Sequence, residues 1–213
     1  QTRLMNETDA KAKAELLQRL RAAEESAAQK RVEASENLVL ALQLADDDTL
    51  VADLNLVRRA LAYLHFVEAD YYDAAVMGEF VGRRYPGDPA SRTGAQIALA
   101  SYLKLYELNP GEDKAFETDH VVSLASFMVA AWPGTTEASG AINTLIPFLI
   151  REGKFEKAKE YVESIPLTSP DRATAELTIG EALWRDYVVG VRQLREWEKA
   201  VRDGSPESAE IAE

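Results

Sequence analysis

From Leu50 onward, apolar residues return at every third or fourth position: Leu50, Leu54, Val57, Leu61, Leu64 and Val67 share one face, and Leu56, Ala60 and Tyr63 widen it. That period predicts a buried helix over 50–68. Ala69-Asp70-Tyr71 supplies a tight turn, after which 72–84 returns as a second helix with Ala75, Met77, Phe80 and Val81 inward. Tyr85-Pro86-Gly87 ends it, because proline disfavours a helical conformation at Tyr85 and Gly87 offers a positive φ. Asp88-Pro89 then provides a cap and a first-turn proline for the next helix. Gly78 and Gly82, four residues apart, are expected to let neighbouring helices approach closely, each at up to about 1 kcal/mol of helix propensity.

Upstream, residues 1–77 contain neither glycine nor proline, and Glu, Lys, Arg, Gln and Ala dominate from Asn6 to Gln43. A long N-terminal helix is predicted. Its stripe (Leu16, Leu20, Ala23, Ala27, Ala34, Leu38, Ala41, Ala45) is mostly alanine between 22 and 34 and buries little area. The first half therefore projects, pairs with a second copy, or lies on a neighbour, and projection is the expectation. Asp46-Asp47-Asp48-Thr49 interrupts the pattern and offers caps for the helix from Leu50; it lacks the alternating ligands and glycine bend of a calcium loop.

Downstream the punctuation recurs. Trp132-Pro133-Gly134 matches Tyr85-Pro86-Gly87, and Ser205-Pro206-Glu207-Ser208-Ala209 repeats Ser169-Pro170-Asp171-Arg172-Ala173. Central residues of successive first helices, Ala62, Ala98, Ile146 and Gly180, step by 36, 48 and 34. The long step is absorbed by Asn109-Pro110-Gly111-Glu112-Asp113, joining helices over 90–108 and 116–131. Pro147 is expected to kink or break its helix, and Gly190 marks a break between two helices of a fourth unit.

Across 50–204 the chain resembles tetratricopeptide (TPR) repeat proteins, on Leu61, Ala62, Ala74, Pro86, Leu145, Gly153, Phe155, Ala158, Pro170 and Gly180. Arg58 stands where that pattern has tryptophan, and Gly78 or Val162 where its second helix has an aromatic. Asp70-Tyr71 through Phe80 to Tyr85-Pro86, followed by Ala95 and Ala98, is similar to repeats of bacterial envelope-assembly lipoproteins and their periplasmic accessories. Asp73 to Phe80, and Ser169 to Ala173 through Gly180 to Trp184, resemble segments of large planctomycete repeat proteins. The resemblance implies an all-α, right-handed α-solenoid of TPR-like hairpins over 50–204, with a long N-terminal helix over 1–49. Residues 205–213 read as the truncated start of a further repeat or a disordered tail. It also implies a non-catalytic interaction module of a larger bacterial protein, holding a partner polypeptide in a concave face. The alternative is a cell-envelope assembly component that self-associates through the N-terminal helix.

Charge narrows the partner. With 24 Lys and Arg against 36 Asp and Glu, the net charge of -12 opposes nucleic acid, which needs a basic footprint. Without cysteine there is no disulfide framework or thiolate metal site, so cytoplasm and periplasm both fit. No apolar run reaches the roughly 18 residues of a membrane span, and no cofactor is expected. His65 and His120 lie on different predicted helices, without a ligand at metal spacing; His65 reads as a packing residue and His120 as surface. Paired acids such as Glu24-Glu25 sit in polar runs, no phosphate loop follows a strand, and an enzyme is not expected.

Projecting the repeat family's inward positions onto the helices gives Arg59, Tyr63, Arg92, Tyr102, Asn143, Trp184 and Arg185, with Arg151 nearby. Together these make a basic, aromatic groove suited to an acidic or carboxylate-ended peptide. The ordinary reading is that the aromatics are core and the arginines pair with neighbouring acids. Both stay open, since one residue of register turns a helix face by about 100°.

Overall fold

A computed structural model describes residues 2–203. Among these residues the chain is all-α, in eight helices: α1 (Thr2–Gln43), α2 (Val51–Val67), α3 (Tyr71–Arg84), α4 (Pro89–Leu108), α5 (Ala115–Ala131), α6 (Thr136–Arg151), α7 (Phe155–Ser164) and α8 (Pro170–Asp203). They fall into two compact units that divide between Leu105 and Tyr106, inside α4. Ser205 to Glu213, read from sequence as a cut repeat or a tail, lie outside the described residues.

In the first unit α2 and α3 form an antiparallel hairpin, and the end of α1 packs on α2. Along α1 every side chain from 12 to 30 is exposed; Arg31, Ser35, Leu38 and Leu42, spaced four, three and four apart, are half-buried. The acids after α1 do not cap α2. Asp46 folds back on Thr49 instead, accepting from its hydroxyl at 2.8 Å and from the Asp48 N–H at 3.2 Å, and these bonds hold its carboxyl below the ordinary aspartate value. Leu50 occupies the N-cap position of α2, with no side-chain bond.

The hairpin turn is a Schellman motif: Asp70 N–H reaches the His65 carbonyl at 2.9 Å and Ala69 N–H that of Phe66 at 3.2 Å. Ala69 takes the left-handed conformation, φ 65°. Packing of α3 on α4 is close because Gly78 and Gly82 lack side chains, as their spacing predicts. A Cβ at Gly78 would run into the Gly94 carbonyl, and one at Gly82 would lie 2.9 Å from the Ala95 Cβ. Small residues accordingly dominate this core, with Ala62, Ala74, Ala75, Ala90, Ala95 and Ala98 fully buried. Asp88 accepts from the Ala90 N–H at 2.8 Å, so it caps α4 ahead of Pro89. Gly87 does not take the positive φ expected of it; in the matching turn after α5, Gly134 does, at 75°.

The second unit carries a bulkier core of Leu124, Met128, Ile142, Leu145, Ile146, Val162 and Ile165. Here α6 packs against α5, α7 and α8. It runs through Pro147 without a break, and that proline is exposed. Between α6 and α7 the Schellman turn returns, with Lys154 N–H on the Leu149 carbonyl at 2.8 Å, Gly153 N–H on Ile150 at 2.9 Å and Gly153 at φ 71°. Likewise the C-caps of α3 and α5 share one geometry, Tyr85 at φ -132°, ψ 55° and Trp132 at φ -133°, ψ 54°. Each cap's ring meets a phenylalanine five residues earlier edge to face, Phe80 at 5.9 Å and Phe127 at 5.6 Å.

Two expectations about the last unit need correction. Gly190 does not divide it, since α8 continues unbroken for 34 residues. Gly180 is not its buried small residue: it is exposed, and Ala182 takes that place with Ala175 and Ile179. A lone glycine weakens a helix by only about 1 kcal/mol, which does not stop one without a proline beside it.

Candidate functional site

An apolar groove of about 340 Å³ opens in the first unit. Its floor is Arg59, Ala60, Tyr63 and Leu64 of α2; Ala34 and Leu38 of α1 form one wall, Thr93 and Ile97 of α4 the other. The 3.6-residue period puts Arg59, Tyr63 and the intervening turn on one side of α2, while Leu61 and Ala62, on the other, pack into the core. Tyr63 is 56% exposed, and Arg59, half-buried, makes no hydrogen bond, ion pair or ring contact among the described residues. In a chain with an excess of carboxylates, a cation left without one beside an apolar trough is available to an incoming anion.

The other residues projected from the repeat pattern are placed differently. Arg92 is exposed on α4 and engaged within the chain. Tyr102 is core, 3% exposed, and its hydroxyl donates to Glu79 Oε2 of α3 at 2.6 Å. Burial, then that bond, holds the phenol above its ordinary pKa, so it remains a donor and lines no groove. α4 is rotated so that Tyr102 faces α3, and Ile97 takes the outward place.

In the second unit Asn143 is half-buried; its Nδ2 donates to Asp171 Oδ1 at 3.3 Å, a bond from α6 to the first turn of α8. The first unit has the counterpart, Asn55 of α2 donating to Asp88 Oδ2 at 3.1 Å just before α4. Arg151, at the end of α6, donates to the Tyr106 hydroxyl at 2.6 Å and lies over the rings of Tyr106 and Phe148 at 5.7 and 5.0 Å. Lys114 Nζ sits 4.5 Å from the Tyr106 ring centre on its way to that residue's carbonyl. These are structural cation–aromatic contacts, with Arg151 engaged by rings and a phenol and not by an acid. Trp184 and Arg185 stand exposed on α8, where Trp184 leans on Tyr187 at 5.6 Å. Of the eight residues, then, the structure brings only Arg59 and Tyr63 to one groove within a unit.

Sequence reasoning missed both walls. Leu38 belonged to a visible stripe, yet periodicity does not say which helix a stripe meets; Thr93 and Ile97 were hidden by the register of α4. Arg58 covers the Phe80 ring at 5.3 Å and donates to Asn55 Oδ1 at 3.0 Å. His65 packs with Nδ1 buried 3.7 Å from Asp70 Oδ2, and His120, half-buried on α5, lies on the Phe116 ring at 4.3 Å.

No protein-family model, curated protein or solved structure matches this chain. Among the described residues, no helix is long and apolar enough to cross a membrane.

Proposed function

We propose that this chain is a non-catalytic interaction module of TPR-like helical hairpins, part of a larger bacterial protein, which holds an extended or helical segment of another polypeptide. The observation that carries the reading is the first unit's groove, apolar along its length and edged by the unpartnered Arg59. Such a trough takes an aliphatic side chain, and the guanidinium takes a carboxylate one or two residues away. Repetition supports the architecture. At an offset of 84 residues, Leu61 and Leu145, Ala62 and Ile146, Ala74 and Ala158, and Val81 and Ile165 are all buried, and Ala69 and Gly153 occupy the same left-handed turn position. A right-handed solenoid stacked from these hairpins is the arrangement we infer.

The test is fluorescence anisotropy with labelled peptides combining leucine or phenylalanine with acidic residues and a free C-terminus. Binding is expected to weaken at least tenfold in Arg59→Glu and Tyr63→Ala, and with a basic peptide of the same hydrophobicity. Peptide affinity equal in wild type and Arg59→Glu would remove the proposal.

A second reading, self-association through α1, is favoured by Leu16, Leu17 and Leu20, 65, 47 and 54% exposed on the part of α1 whose described side chains are all exposed. Sedimentation with and without residues 1–45 decides it, since it requires that truncation dissolve the oligomer.

A further inference from the structure

The second half of α8 is exposed along its length among the described residues: from Trp184 to Asp203 every side chain is exposed except the half-buried Val191 and Ala200. Helices without tertiary support are marginal in water. Yet this stretch is not a solvated face. Trp184, Tyr187, Val191 and Leu194 follow a 3,4,3 spacing, which Glu198 and Val201 continue by 4 and 3. That is the a and d pattern of a coiled coil. We propose that this segment pairs, antiparallel, with the same segment of a second copy of the chain.

Three observations select that occupant. The first is area. Trp184 and Tyr187 are 66 and 61% exposed, Leu194 52% and Trp197 49%. Aromatic side chains offer roughly 150–250 Å² each, so the face presents on the order of 600–700 Å² of apolar surface. That approaches the ~800 Å² per partner of a stable interface and exceeds what most monomers leave in water.

The second is charge. The chain carries -12, which opposes two copies meeting at random, but residues 184–203 hold five basic and four acidic side chains. Here two copies meet without net repulsion.

The third is shape, and it fixes the direction. With the two-fold axis between Arg192 and Gln193, Trp184 faces Val201 of the second copy, Val191 faces Leu194, and Tyr187 faces Glu198, whose carboxylate accepts from the phenol. Each layer sets unlike residues together, the largest, Trp184, against a valine. Parallel pairing stacks Trp184 on Trp184 and buries Glu198 against Glu198, two like charges. Flanking the antiparallel seam, Trp197 lies over Gly190 of the second copy and Arg202 falls opposite Glu181. This explains a glycine that the chain's own packing does not require: a Cβ at Gly190 would meet nothing within 4 Å.

Sedimentation equilibrium of the whole chain between 5 and 200 µM, in 0.15 M salt, tests the pairing. Twice the chain mass is expected at the upper end, a monomer in Leu194→Glu, and at least tenfold weaker dimerisation in Gly190→Leu. Unchanged helical circular dichroism will show that both variants fold. The absence of cysteine makes direction readable. Val201→Cys alone is expected to form no disulfide-linked dimer, because the two copies' positions lie about 25 Å apart at 1.5 Å per residue; mixed with Trp184→Cys it is expected to link. A monomer at 200 µM overturns the proposal. So does a dimer that survives Leu194→Glu but is lost in Leu16→Glu/Leu20→Glu, which would place the contact on α1. Self-linking by Val201→Cys overturns the antiparallel arrangement.

Discussion

Ala69 and Gly153 hold the same post in two turns, with the same hydrogen bonds, but only one of them is suited to it. An L-residue with a Cβ in the left-handed region loses about 1 kcal/mol relative to its favoured conformation, whereas glycine does not. Replacing Ala69 by Gly is therefore expected to raise stability by about 0.5–1 kcal/mol, less the entropy glycine adds to the unfolded chain. A urea titration that shows a loss would mean the turn is held by something other than its backbone. Glycines divide the same way. At Gly78 a methyl group meets a backbone carbonyl that cannot step aside, so Gly78→Ala should destabilise by about 1–2 kcal/mol net of the propensity gained. At Gly140 of α6 there is open space, and Gly140→Ala should stabilise by up to about 1 kcal/mol. Identical effects at the two positions, in chemical denaturation, would contradict the close approach of α3 to α4.

Helices and their turns could be read from sequence because their signals are local. Proline and glycine at 85–89 and 132–135 mark ends through backbone sterics alone. The period from Leu50 locates α2 but not its buried face: of the nine residues it assigns there only Leu61 is buried, and Leu50, Leu56, Tyr63 and Val67 are exposed. What lay hidden depends on rotation and on neighbours. Projection of the repeat pattern puts Tyr102 in the groove, and on α4 one residue of register, about 100°, is enough to exchange its face for the one that carries Ile97. The groove's α1 wall was hidden for a different reason: a stripe of alanine and leucine shows that a helix is amphipathic, not what it touches. Along α1 every side chain from 12 to 30 is exposed and half-buried positions begin at Arg31, although Ala34 and Ala41 of the stripe are exposed beyond it, and a prediction follows from that boundary. Residues 1–29 should be removable with less than about 0.5 kcal/mol change in stability, since the side chains of 12–29 are all exposed. Leu38→Ala, at the half-buried wall, should cost about 1–2 kcal/mol, roughly half of what a fully buried leucine loses. Thermal melts of the two variants check both; a large loss on truncation would show that the exposed half of α1 is covered in solution.

At the scale of the whole chain the governing quantity is charge. Twelve excess negative charges repel one another more in a folded body than in an expanded chain, and at 0.01 M salt the screening length of about 30 Å leaves most of that repulsion intact. At 0.15 M the length falls to about 8 Å, and Coulomb's law at the dielectric constant of water places the relief on the order of 1–2 kcal/mol. Opposing this, salt weakens favourable pairs, but those within helices are short-range and partly exposed: Arg83 with Glu79, Lys159 with Glu156 and Arg172 with Glu176. Each contributes about 0.2–0.5 kcal/mol and loses only part of it, because paired atoms 2.6–2.9 Å apart lie well inside the screening length. Repulsion should therefore decide the sign. Urea midpoints measured from 0.01 to 0.15 M sodium chloride, at neutral pH and at a protein concentration low enough to keep the chain monomeric, are expected to rise by an amount equivalent to about 1 kcal/mol. Raising salt should at the same time weaken an acidic peptide held by Arg59, so stability and peptide affinity are expected to move in opposite directions along one salt series. A midpoint that falls with salt would mean that specific ion pairs, and not the excess of carboxylates, set the electrostatic balance of the fold.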